Sequence, residues 1–393
     1  MSETRFVYAD NAATTPVLPA VREAMMPFFG EIYGNPSSLY GKGQEALSYL
    51  QEAREKIAAI LGCKPAEIFF TSCGSESDNW AIKGAAHSYE KKGKHLITTK
   101  IEHHAVLHTM EALEKEGFEV TYLGVGSDGI ISLDELEAAI RPDTTVIEIM
   151  YANNEIGTIQ PIKEAAEIAH KHGCVFITDA VQAIGNIEVN VAELGVDMLS
   201  LSGHKIHAPK GIGALYIKTG VRCKTFLDGG GQERGRRGGT ENVAYAVALA
   251  KALEIANDRL PGMAKVQEKR DRLIRGILET IPYTHLNGSA EKRLPGNANI
   301  SFAFIEGESL ILWLDHYGIC CSTGSACSSK SLEPSHVLLA IGLPHEEAHG
   351  SLRLTISHET TDEDIDYILA TLPGVVDRLR QMSPLYDAVK NQK

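Results

Sequence analysis

Three polar groups stand just past apolar runs, where a folded chain could use them for chemistry. Lys205 follows MLSLSGH (198–204), Asp179 ends CVFITD (174–179), and Cys73-Gly74-Ser75-Glu76 follows EIFFTS (67–72) where a helical pattern opens. In open α/β sheets ligands gather at the carboxyl ends of strands. A carboxylate at the end of so apolar a strand is costly unless a cation meets it, and a helix N-terminus presents free N–H groups and a hydroxyl to an anion. Singly, each has an ordinary alternative: a solvated lysine, an aspartate helix cap, a serine cap. Together they supply an amine able to form a Schiff base, a carboxylate able to pair with a protonated pyridine nitrogen, and a cradle for phosphate. Those are the three needs of pyridoxal 5'-phosphate (PLP).

A fourth group suggests a nucleophile. Cys327 lies in STGSACSSKSLEP (322–334) among Gly, Ser and Ala, with no apolar run to bury it, and reads as a thiol in an exposed loop. Cys174, in CVFITDA, suits a small buried side chain instead. Arg353, in SLRLTIS (351–357), is by itself a strand-edge charge.

The elements that must position these groups alternate. EALSYLQEAREKIAAILG (45–62) carries apolar residues at helical spacing. EIFFTS, HLITTK (95–100), FEVTYLGV (118–125), TTVIEIMY (144–151), CVFITDA (174–180), MLSLSG (198–203) and GALYIK (213–218) are apolar strands separated by helical patterns. This series predicts a mostly parallel sheet covered by helices on both faces. Two long helical patterns follow Thr240, and then NANISFAF (297–304), ICCSTG (319–324) and SLRLTIS form a smaller α+β unit. The expected division is a large domain at 15–257 and a small one built from 1–14 and 258–393, with the cysteine loop at about 318–334.

Composition narrows the partners. The 393 residues exceed the roughly 250–300 at which a single core stops growing, which argues for two domains. With 38 Lys+Arg against 51 Asp+Glu, the net charge of −13 repels nucleic acid and anionic lipid, so the basic GGGQERGRRGG (229–239) is expected to be a flexible loop near the phosphate and a subunit interface. No apolar run reaches the ~20 residues of a membrane span. The N-terminus shows no targeting pattern and the seven cysteines, an odd count without C-x-x-C, do not form a disulfide framework, so a reducing cytoplasm is expected.

Nearly end to end, the sequence resembles the class V, fold-type I PLP enzymes, and within them the NifS/IscS-type cysteine desulfurases. The resemblance runs through YADNAATTP (8–16), YGNPSS (33–38), TSCGSESDN (71–79), IEHHAV (101–106), NNEIGTIQP (153–161), DAVQAIG (179–185), SGHKIHAPKGIGALY (202–216), STGSACSSKSLEPSHVL (322–338) and SLRLTIS. It implies a large PLP domain with a smaller α+β domain, PLP as cofactor, and a homodimer. Lys205 would carry the cofactor, Asp179 would pair with the ring nitrogen, and His103 would stack on the ring. Gln182 would bond the ring oxygen, while Gly74, Ser75, Ser202 and His204 would hold the phosphate, with Thr240 reaching it from the partner subunit. Asn154 would contact cofactor or substrate, and Arg353 would clamp the substrate carboxylate.

The resemblance makes Cys327 the nucleophile that takes sulfur from L-cysteine as a persulfide, releasing L-alanine. The sulfur would pass to an acceptor protein such as an iron–sulfur scaffold, for cluster assembly or other thiolation. No metal is required, beyond a transient contact of Cys327 with a cluster. A selenocysteine lyase or transaminase of the same fold would use Lys205, Asp179 and Arg353 without Cys327. A non-catalytic sulfur or metal carrier would be built instead on Cys320, Cys321 and Cys327. Gly203 stands where many relatives have Ser or Ala, and SPLYDAVKNQK (383–393) is shorter than the scaffold-docking tail of IscS-type members.

Overall fold

A computed structural model describes residues 5–324 and 334–386. Its strands in chain order are β1 (Val7–Tyr8), β2 (Ile68–Thr71), β3 (His95–Thr99), β4 (Glu119–Leu123), β5 (Thr144–Glu148), β6 (Val175–Asp179), β7 (Met198–Ser202), β8 (Gly213–Ile217), β9 (Thr284–Leu286), β10 (Asn297–Phe302), β11 (Ile319–Cys320) and β12 (Ser351–Thr355). Seven of them form one sheet in the order β2-β8-β7-β6-β5-β3-β4. Only β8 runs against its neighbours, so the sheet is mostly parallel, as the alternating strand and helix patterns predict.

Burial explains why those strands read as continuous apolar runs. β2, β3 and β5 to β8 are buried at every position, whereas the edge strand β4 is exposed at Glu119 and only half-buried along most of its length. Side chains alternate across the sheet. Phe70, Ile97, Ile147 and Phe176 join the core on one face, and their neighbours Phe69, Leu96, Val146 and Ile177 join the core on the other. Helices Gly41–Leu61 and Val243–Arg259 pack on each other, and helix Gly74–Tyr89 lies over β5 to β8.

A separate core gathers β10, β12 and helices Met263–Thr280, Gly307–His316 and Asp362–Gln381. The start of the chain joins it: Val7 and Ala9 are buried there, and β1 pairs in parallel with β11. Residues 10–13 therefore run between this core and the carboxyl end of β7. No helix among the described residues is long and apolar enough to cross a membrane.

The Gly-rich segment 229–239 is pinned rather than free. Glu233 is buried and takes both arms of the Arg54 guanidinium, at 2.7 and 2.8 Å, while accepting the Phe70 N–H at 3.1 Å. Arg237 pairs with Glu76 at 2.8 Å. Sequence spacing could not reveal these anchors, because both partners are remote in the chain. Removing one member of a buried pair leaves the other charge stranded, so Glu233→Ala is expected to lower unfolding free energy by about 3–5 kcal/mol in denaturant titration.

Candidate active site

The carboxyl ends of β6 and β7, the turn after β2 and residues 12–13 enclose a cavity of about 190 Å³. Lys205, Asp179, His103, Gln182, Asn154, Gly74, Ser75, Ser202, His204 and Arg353 all line it. Ten residues from six separate stretches of sequence thus meet at one place. Thr240 does not; it lines a second cavity with Thr71, Ser72 and Arg237. Cys327 lies outside the described residues.

Lys205 ends the short 3-10 turn Gly203–Lys205 that follows β7. Its Nζ donates to the carbonyls of Ala12 and, at 2.8 Å, Ala13. Gln182 Nε2 donates to the same Ala12 carbonyl at 3.0 Å. Asp179 accepts the Val181 N–H at 2.8 Å, and burial pushes its carboxyl up to about 6 against the pull of that bond and of Lys205. Beside it lie Asp78, Glu102 and Glu148, all buried; burial raises all three, Glu102 to about 8, and their mutual repulsion adds to it. An ionised Asp179 next to protonated neighbours can hold a cation facing the cavity.

His103 caps helix His104–Lys115, its Nδ1 accepting the Ala105 N–H at 3.1 Å, which leaves the neutral ring's proton on Nε2. Burial, with Lys205 nearby, pushes His103 down to about 4. Burial does the same to His204, which bonds Thr14 Oγ1 at 3.1 Å. Both imidazoles are therefore neutral at neutral pH.

The chemistry of PLP fits this lining. Helix Gly74–Tyr89 opens at Cys73 without any side-chain cap, so its first N–H groups face the cavity unclaimed by a side chain. Ser202 Oγ is buried there with no hydrogen-bond partner among the described residues. A Cβ on Gly74 would come within 2.8 Å of Val181 Cγ2 and 3.4 Å of Ser202 Cβ, so glycine keeps the anion cradle open. At the opposite side the Arg353 guanidinium is buried, with Nη1 on the Asn154 carbonyl at 2.9 Å and Nη2 on Asp10 at 2.9 Å. Its Nε is buried and unpartnered among the described residues, a donor available to a carboxylate.

The Aminotransferase class-V family model matches residues 7–368. The chain belongs to the class-V aminotransferase family. Enzymes of this family use PLP, and the class-V assignment agrees with the fold and with the cavity lining. The cysteine desulfurase IscS of Clostridium botulinum (strain Hall) is 54% identical over 391 residues, 98% of each chain. Among solved structures, a NifS-like protein superposes with a TM-score of 0.90 at 42% identity, covering 95% of this chain and 100% of that one. A structure titled SspA in complex with cysteine gives a TM-score of 0.80 at 40% identity, covering 89% and 98%.

Four further residues of this class-V site went unassigned in the sequence reading. Asp78 and Glu102 lie inside quoted motifs, and Asp10 lies inside YADNAATTP, yet each takes its role from partners distant in sequence. Glu148 ends β5 and carried no sequence signal apart from a charge in an apolar run. Among the described residues no cluster of His, Cys, Asp or Glu is arranged to hold a metal ion.

Proposed function

We propose that this protein is a PLP-dependent cysteine desulfurase that removes sulfur from L-cysteine and releases L-alanine. The observation that carries the reading is the convergence of Lys205, Asp179, an uncapped helix N-terminus and the buried Arg353 in one cavity. Relatives 54% identical carry that enzyme name, and a solved structure of the same fold is titled as a cysteine complex.

When bound, the pyridoxal group supplies an electron sink for bonds at the substrate Cα. Gly74 and Ser75 N–H groups, Ser202 Oγ and His204 would hold its phosphate; Asp179 would hold the ring-nitrogen proton; Gln182 would bond the ring oxygen; and His103, neutral, would stack on the ring. Lys205 Nζ holds the cofactor and then takes the substrate Cα proton. Arg353 orients the substrate carboxylate, with Asn154 beside it. The Cys327 thiolate attacks the substrate sulfur: a sulfur–sulfur bond forms, the Cβ–S bond breaks with its electron pair left on Cβ, Cβ takes a proton, Lys205 returns to Cα the proton it took, and L-alanine leaves. Cys327 keeps the sulfur as a persulfide.

Residues 15–257 make the cofactor-binding domain, and 1–14 with 258–393 the smaller domain that supplies Arg353 and the cysteine segment. The enzyme works in the cytoplasm as a homodimer. Thr240 lines a different cavity from its own chain's Lys205, which supports the homodimer, since that residue is then available to a partner's phosphate site. The persulfide passes to an acceptor protein such as an iron–sulfur scaffold.

Incubating the PLP-loaded protein with L-cysteine and a dithiol is expected to yield one alanine per sulfide. Pyruvate and ammonia in place of alanine, or a protein that takes up no PLP, would overturn the assignment.

A further inference from the structure

The carboxylate paired with the cavity-lining Arg353 belongs to Asp10, and its two oxygens face two different partners. Oδ1 accepts from Arg353 Nη2 at 2.9 Å, and Oδ2 accepts from Ser322 Oγ at 3.0 Å. Ser322 is also the backbone partner of Arg353: the Arg353 N–H donates to the Ser322 carbonyl at 2.6 Å, and the Ser322 N–H to the Arg353 carbonyl at 3.2 Å. Five residues further along the sequence stands Cys327.

The local fold holds Asp10 in this position from both sides. β1 pairs with β11, the Ala9 N–H donates to the Cys320 carbonyl at 2.9 Å, and the Thr355 N–H donates to the Ala9 carbonyl at 2.7 Å. Asn11 returns a bond to the Thr355 carbonyl at 3.2 Å. The carbonyls of Ala12 and Ala13, next in the chain, receive Lys205 Nζ. One short segment therefore touches the arginine, the lysine and the strand end that leads toward the cysteine.

We propose that Asp10 is a positioning residue for substrate recognition: it fixes the Arg353 guanidinium for the substrate carboxylate and links that contact to Ser322 at the root of the cysteine-bearing segment. The proposal rests on the reading of Arg353 as the carboxylate clamp. A guanidinium has five N–H donors in a rigid fork. Asp10 and the Asn154 carbonyl engage the two Nη groups, which fixes the plane, and the unpartnered Nε–H with the remaining Nη hydrogens is left for an incoming carboxylate. Asp10 also balances the buried cation before substrate arrives, so Arg353 need not be stranded in a low-dielectric site.

The test compares two amines that differ only by the carboxylate. L-Alanine and ethylamine are titrated into the PLP-loaded protein, and binding is read from the visible absorption of the cofactor. Asp10→Asn keeps the shape and removes the charge; it is expected to weaken L-alanine about tenfold and leave ethylamine within twofold. The KM for L-cysteine should rise in proportion while kcat stays within about threefold. Ser322→Ala is expected to weaken L-alanine about threefold alone and to add nothing in the Asp10→Asn background, because the two act through one carboxylate.

Equal weakening of both amines, or of neither, would overturn the proposal, as would additive effects in the double variant. Should the Asp10→Asn protein fail to fold, Ser322→Ala decides: unchanged L-alanine affinity overturns the link. Arg353→Lys separates this from the parent reading. If that variant binds L-alanine as wild type does, Arg353 is not the clamp. If it weakens L-alanine while Asp10→Asn does not, Arg353 stands and the role of Asp10 falls.

Discussion

Lys205→Ala is expected to reduce alanine formation from L-cysteine by on the order of 10⁴-fold, because one amine both holds the cofactor and moves the Cα proton. Among the described residues no other base in the cavity is suited to replace it. His103 and His204 are pushed down to about 4 by burial, so each is a weak proton acceptor at neutral pH. Asp179, raised to about 6, is needed at the ring nitrogen and cannot also serve at Cα. Geometry points the same way: Lys205 Nζ is held by two backbone carbonyls, a fixed seat that a distant side chain would not reproduce. Two readouts check the result. Turnover should vanish, and the visible absorption of the protein-bound cofactor should change because its covalent link to the protein is gone. An added small primary amine should restore part of the rate by supplying the missing base. A Lys205→Ala protein that kept more than a tenth of wild-type turnover would remove Lys205 from the mechanism.

That such a prediction can be written from the sequence follows from how parallel sheets bury their strands. β6 and β7 are covered on both faces, so they read as unbroken apolar runs, and a charged residue at the end of each stands out. Asp179 and Lys205 were legible for that reason. Helix starts were legible too, since Gly74 follows β2 directly and its helix has the right spacing. Asp10 was not legible. It stands in an extended N-terminal stretch with no periodicity, and its partners Ser322 and Arg353 are more than 300 residues away. The buried carboxyls Asp78, Glu102 and Glu148 were hidden differently. Asp78 lies in a helix pattern, Glu148 inside the run TTVIEIMY that continues apolar beyond it, and Glu102 in a short connection; the packing of helix Gly74–Tyr89 across β5 to β7, with Glu102 accepting from Thr99 Oγ1 and the Met150 N–H, brings them together beside Asp179. The pinning around Glu233 is hidden for a related reason: glycine and arginine signal a loose surface loop unless a buried partner such as Arg54 is known.

Cys327→Ser is the second large effect, and it separates a desulfurase from other class-V chemistry. Serine preserves size and polarity but offers a hydroxyl in place of a thiolate, so sulfur transfer from L-cysteine is expected to fall by about 10³-fold or more. Neighbouring thiols are poor substitutes. Cys321 is buried, and burial drives its thiol far above the ordinary range; Cys320 is raised in the same direction by burial and by Asp315 and Asp10. A thiol that stays protonated at neutral pH is a weak nucleophile. Cofactor binding should survive, because no cofactor contact is assigned to Cys327, and the visible absorption of Cys327→Ser should match wild type before substrate is added. L-Cysteine should still perturb that absorption, since Lys205, Asp179 and Arg353 remain, while persulfide, sulfide and alanine fail to accumulate. Mass mapping of wild-type protein after brief exposure to L-cysteine should find the extra sulfur on the peptide containing Cys327 and on no peptide containing Cys73, Cys320 or Cys321 alone. If Cys327→Ser released alanine and sulfide from L-cysteine at the full rate, the protein would be a lyase that cleaves the carbon–sulfur bond without a cysteine nucleophile, and the desulfurase assignment would be lost even with every cofactor contact intact.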